Sequence, residues 1–162
     1  MSETRETWMV AFDFSEQAMF ALRRAAELLS GLGGGQLLVV HVHRPMSTGF
    51  GAEFAAVSPA FRDVDRVIQE SAVNRMAEVL APLKDAFPRV TFDSRVEPGY
   101  PPDRLVAIAA EANASQIVIG SHGRKGLERF FLGSVAERVT RLADRTVLVV
   151  KGDARATSPT QA

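Results

Sequence analysis

The chain has 162 residues, of which 46% are apolar and 23% charged, with 19 lysines and arginines against 19 aspartates and glutamates. That length suits one domain around one core. Zero formal net charge excludes broad electrostatic binding to nucleic acid or to an anionic membrane. The absence of cysteine excludes disulfides, thiolate catalysis and cysteine metal sites. The opening MSETRET lacks an apolar signal core, and no apolar run approaches the ~20 residues of a membrane span. A cytoplasmic protein is therefore expected, with neither nucleic acid nor membrane as a partner.

Trp8 to Phe12 is almost wholly apolar, as in a strand covered on both faces. Asp13 ends it, and Ser15 stands where a helix N-cap would stand, with Glu16 favourable in the first turn. Ala18, Leu22, Ala25, Ala26 and Leu29 give that helix its buried face, and the glycines from Gly31 to Gly35 end it. Gln36 to His43 reads as the second strand. His41 and His43 lie two residues apart and so share a face, in a structural or solvent-facing role. Arg44 to Ala60 is a long connection with two prolines and two glycines, of the kind that forms a lid. A helix is expected from about Arg62, with Val64, Val67, Ile68, Met76, Val79, Leu80 and Leu83 on its apolar face. Pro82 should kink or end it and Pro88 marks its limit.

Val90 to Val96 alternates and reads as an edge strand. Glu97 to Pro102 is a turn, and a helix from about Pro102 to Asn113 buries Leu105, Ile108, Ala109 and Ala112. A fourth strand, Ile117 to Ile119, runs into Gly120, Ser121, His122 and Gly123. After a charged and aromatic loop comes Gly133, and Ser134 with Glu137 forms the S-x-x-E pattern of a capping box. Val135, Val139 and Leu142 mark one face of that last helix. Thr146 to Val150 is the last strand. Five strands alternating with four helices argue for a parallel sheet covered on both faces. Residues 1–151 make one domain, and residues 152–162 a disordered tail.

The strand, glycine turn and helix start from Ile117 to Ser134 suit phosphate. Backbone N–H groups and the positive helix end can hold its oxygens, and glycine permits close approach and φ > 0. Neither the P-loop pattern nor the dinucleotide fingerprint is present. The spacing Gly120-x2-Gly123-x9-Gly133-Ser134 instead resembles the ATP-binding branch of the universal stress protein family. Val10 to Glu16 is similar to that family's first strand and turn, and Gly99-x-Pro101 to its G-x-P before a helix.

The resemblance implies a Rossmann-like α/β fold with strand order 3-2-1-4-5, which places Asp13 and Gly120 at the C-terminal ends of neighbouring strands. It implies ATP as the ligand, with Mg²⁺ bridging the phosphates. Asp13, with Ala11 and Phe12 before it, would lie beside the adenosine, and Val42 would meet the adenine through its backbone. Gly120, Gly123, Gly133 and Ser134 would hold the phosphates, with Ile119, His122 and Val135 in the same binding segment, while Arg124, a departure from the family, brings positive charge to where triphosphate oxygens could lie. Asp13 also has a plainer reading as a turn residue bonding its own backbone, and His122 as a residue lining its turn. The implied order puts Thr146 to Val150 at the sheet edge, where no charge or proline protects the run. The resemblance implies a homodimer through that strand. An ATP-binding stress or signalling protein is expected. A slow ATP hydrolase and a nucleotide-free interaction module on the same fold are the alternatives, since no acid–base pair declares itself beyond Asp13, His122 and Ser134.

Overall fold

The computed structural model of the chain describes residues 6–46, 59–122 and 132–152. The apolar runs become strands β1 (Thr7–Ala11), β2 (Gly35–His43), β3 (Val90–Pro98), β4 (Gln116–Gly120) and β5 (Thr146–Val150). All pair in parallel, in the order β3-β2-β1-β4-β5. The helices are α1 (Glu16–Gly31), α2 (Pro59–Ala86), α3 (Pro101–Glu111) and α4 (Ser134–Leu142).

Period-two alternation divides the core between two layers. On one face Val10, Leu37, Val39 and Phe92 pack with Leu22 and Leu29 of α1 and Met76 and Leu80 of α2. On the other, Met9, Ala11, Val40, Val42, Ile117 and Ile119 pack with Leu105 and Ile108 of α3 and Val139 of α4. The central strands are buried on both faces, which explains why their sequences are continuously apolar. The edge strand β3 alternates buried and exposed at its start, and its polar residues account for that. The other edge, β5, is only half-buried along Val147 to Val150, less covered than its apolar run suggested.

Helix α1 begins as its sequence dictates: the Ser15 hydroxyl accepts the Ala18 N–H at 3.1 Å and fills one orphan donor of the first turn. At its far end Gly34 has φ of 106°, and a Cβ there would fall 2.2 Å from the Arg89 carbonyl oxygen, so only glycine fits.

Helix α2 departs from expectation in three ways. It starts at Pro59 rather than near Arg62, and it runs through Pro82 to Ala86. Pro82 lies on the exposed side, where water can meet the carbonyl it frees, while Leu80 and Leu83 stay buried on either side of it. Val64 and Val67 are exposed rather than buried. With 28 residues against nine, α2 is about 42 Å long and β3 about 30 Å. The first turns of α2 therefore overhang the C-terminal ends of the strands. Helix α3 starts one residue earlier than expected and ends at Glu111, with Ala112 as its C-cap.

Candidate functional site

The strand order places the topological switch between β1 and β4, whose chain connections leave on opposite faces. A crevice at that point, beyond the C-terminal strand ends, is where open parallel sheets hold ligands. Ala11 and Ile119 are register partners there, and both are buried on the α3/α4 side together with Val42. Phe12 faces the opposite layer, and its N–H donates to the Val40 carbonyl at 2.8 Å.

The β1–α1 turn closes on itself. Asp13 Oδ1 accepts the Ser15 N–H at 3.0 Å, so the turn reading of Asp13 holds for that oxygen. The Phe12 carbonyl meets His41 Nδ1 at 2.8 Å. His41 and His43 do share a face, with ring centroids 6.4 Å apart. His43 is not solvent-facing: it is buried, and neither ring nitrogen has a partner among the described residues.

The β4–α4 turn is built differently. The Ser121 N–H donates to the Val150 carbonyl at 2.9 Å, and the Ser121 carbonyl accepts the Gly133 N–H at 2.7 Å. These two bonds pinch the base of the connection and fix where α4 begins. Gly133 is therefore the N-cap, with φ −60° and ψ 148°. Ser134 is the first helical residue and caps nothing, so the expected capping box is not formed. Glu137, its supposed partner, faces Arg141 at 3.9 Å instead. With no side-chain cap, the N–H groups of Ser134, Val135 and Ala136 have no intrahelical acceptor. They and the positive helix end form an anion-receptive surface. Val135 is half-buried, Ala136 and Val139 make the buried face, and Leu142 is exposed.

Of the two reasons expected for glycine at 120, a positive φ does not apply, and a packing reason joins the approach of phosphate. Gly120 is not among the positive-φ residues. A Cβ at Gly120 would lie 3.0 Å from the backbone of Gln17, so the glycine lets α1 approach β4. His122 lies beside this turn, its Nδ1 3.0 Å from the Ser121 hydroxyl and its Nε2 buried without a partner among the described residues. Gly123 and Arg124 lie outside the described residues, as do residues 47–58 of the expected lid and the tail from residue 153.

Several contributors carried no sequence signal. Gln17 accepts the Gly152 N–H at 2.9 Å and ties the end of β5 to α1. Tyr100, the N-cap of α3, packs beneath the guanidinium groups of Arg44 and Arg138. Gly99 before it has φ of 152°, which explains the glycine of the G-x-P segment. Below it, Glu97 is bonded by Arg95 and Arg104, and Glu111 by the same two arginines. Burial pushes the Glu97 carboxyl up, but the bonds and charges of Arg104 and Arg95 outweigh it and hold the group below its usual range.

A doubly wound parallel sheet with its switch point between β1 and β4 defines the class of open, Rossmann-like α/β proteins. Within that class, the chain belongs to the universal stress protein family, whose profile it matches over residues 5–151. It is 28% identical to the universal stress protein MJ0577 of Methanocaldococcus jannaschii over 86% of this chain and 90% of that protein. The solved structure of MJ0577 superposes with a TM-score of 0.77 over 93% of this chain and 98% of that one. The universal stress protein Mb2028c of Mycobacterium bovis is 31% identical over 88% of this chain, which spans about half (51%) of that protein's length. The universal stress protein of Archaeoglobus fulgidus, solved in complex with dAMP, is 25% identical with a TM-score of 0.61, over 91% of this chain and 99% of that one.

Proposed function

We propose that this chain binds ATP, with Mg²⁺ bridging the phosphates, and acts in stress response or signalling through nucleotide occupancy. The observation that carries the reading is the start of α4, where Ser134, Val135 and Ala136 present N–H groups that no side chain among the described residues caps. The dAMP complex of the Archaeoglobus relative supports an adenine nucleotide. In this reading the phosphates meet the α4 backbone and Gly120, Gly123 and Arg124 beside it, with His122 lining the turn. Asp13 meets the nucleoside, over a floor made by Ala11, Val42 and Ile119. Among the described residues no three histidines or carboxylates gather as a metal cage, so Mg²⁺ would be held by the phosphates and water. The small molecule released when the purified protein is denatured tests the reading: an adenine nucleotide is expected, and a protein that neither carries nor takes up one contradicts it.

Turnover is expected to be slow or absent, because the described residues of the crevice offer no accessible nucleophile paired with a base. The Ser121–His122 contact is the one hydroxyl–imidazole pair described there, and Ser121 is buried beneath the turn. Residues 1–151 act as one domain in this reading, in the cytoplasm. Among the described residues no helix is long and apolar enough to cross a membrane.

A homodimer through β5 belongs to the same proposal. The strand is an edge, half-buried from Val147 to Val150, and its outward backbone groups are a template for a second copy. Val149→Pro removes a backbone donor and should shift light scattering from dimer toward monomer. A wild-type monomer at high concentration with ATP present contradicts the dimer.

A further inference from the structure

Phe14 follows Asp13 in the β1–α1 turn with φ of 63°. That is the left-handed region, where a bulky side chain crowds its own backbone. The hydrogen bonds that close the turn, Ser15 N–H to Asp13 Oδ1 and Ala18 N–H to Ser15 Oγ, do not involve the Phe14 side chain. Glycine or asparagine at this position would allow the same turn with less strain. The contacts of the ring itself must therefore offset the strain. It meets Phe12 edge-on at 5.0 Å and His41 edge-on at 4.9 Å. The Arg75 guanidinium, from α2, lies 4.2 Å from its centroid, within cation–π range.

The consequence falls on Asp13. If φ at residue 14 returned to an ordinary negative value, the chain direction after Asp13 would change and the Asp13–Ser15 bond would break. The left-handed strain and one exposed cation–π contact are of the same order. Removing the cation therefore shifts the population of the turn measurably, while the buried core below it stays intact.

We propose that Arg75 and Phe14 form a clamp that positions Asp13 for the ribose of the bound nucleotide, so that sugar recognition depends on a cation supplied by α2. The inference rests on the adenine-nucleotide reading above. A carboxylate accepts hydrogen bonds and cannot donate them, and a ribose offers two adjacent hydroxyl donors. Arg75 is thus a positioning residue that acts through Phe14.

The test is calorimetric titration of ATP and of 2′,3′-dideoxy-ATP into the wild type, Arg75→Met, Arg75→Lys and Asp13→Ala. The wild type should prefer ATP by at least roughly ten-fold, the effect of losing a hydrogen bond to a charged group. Arg75→Met should weaken ATP roughly three- to five-fold and leave dideoxy-ATP unchanged. Arg75→Lys should restore the preference, and Arg75→Met should have no effect once Asp13 is alanine. Thermal unfolding of Arg75→Met near that of the wild type shows that the loss is local. A wild type that binds neither nucleotide ends the functional reading and this inference with it. A wild type that binds both forms equally overturns the role of Asp13 and therefore the clamp. A wild type that discriminates, beside an Arg75→Met whose preference for ATP is as large as the wild type's, overturns the clamp alone.

Discussion

The two strand-to-helix turns that flank the crevice solve the same problem in opposite ways. After β1, four residues suffice, and side chains take up the donors: Asp13 accepts from Ser15, and Ser15 from Ala18. After β4, the chain returns at Gly133, pinned by a bond between backbones, and the helix starts without a side-chain cap. The first turn spends its polar groups on the fold. The second leaves them for something else. Serine marks both helix starts, yet only Ser15 stabilises its helix.

The largest effect should come from Gly120→Val, because the added carbons would press on the Gln17 backbone from 3.0 Å and force α1 off β4. Overpacking of this kind costs about 1–3 kcal/mol, which urea denaturation would register as a lower midpoint. An unchanged midpoint would show that α1 yields freely and that glycine is kept here for the ligand alone. The serines sharpen the comparison next. Ser15→Ala should cost about 1 kcal/mol, the usual loss for an N-cap, whereas Ser134→Ala should stay within about 0.5 kcal/mol, as for a surface substitution. Equal losses in thermal denaturation would mean that Ser134 caps α4 after all.

The smallest effect belongs to acid. Glu97 sits below its ordinary value of 4.5 through Arg104 and Arg95, despite the opposing effect of burial. A carboxyl lowered in the folded state stabilises the fold above its ordinary value, and loses that contribution as pH falls through the lowered one. Glu97→Gln should therefore reduce stability at pH 7 and flatten its decline below about pH 4.5. Parallel pH profiles for variant and wild type would show the cluster to be ornamental to the fold.

Why the sequence foretold the sheet but misread parts of the site has a physical answer. The strand order followed the family resemblance, and the two buried layers followed period-two and helical periodicity, because burial imposes a residue type at each position. Asp13 and Ser15 were legible because a turn and a cap use fixed spacings. The capping box at Ser134 has the same letters. It failed because a backbone bond from Gly133 to Ser121, twelve residues apart, sets where α4 begins, and no local pattern encodes it. Gly120 was recognised as necessary, for close approach of a ligand and for conformational freedom, but the approach of Gln17 from another helix has no local pattern. Arg75, 61 positions beyond Phe14 in the chain, reaches the turn only through the placement of α2. Val64 and Val67 had the right spacing for a core, but α2 outruns the sheet it covers.

Proline at the start of α4 can show whether its backbone holds the phosphates, without dismantling the helix. Ser134 is the first helical residue, where proline is tolerated because its missing N–H has no intrahelical acceptor. Gly133, with ψ of 148°, already has the extended conformation that a residue before proline requires. Ser134→Ala removes the hydroxyl, and Ser134→Pro removes the hydroxyl and the N–H together. Calorimetry of ATP binding to the two variants isolates that one backbone donor. The proline variant should bind at least roughly ten-fold more weakly than the alanine variant, the loss of a single charge-assisted hydrogen bond. Equal affinities would contradict it, showing that the first backbone donor of α4 holds no phosphate.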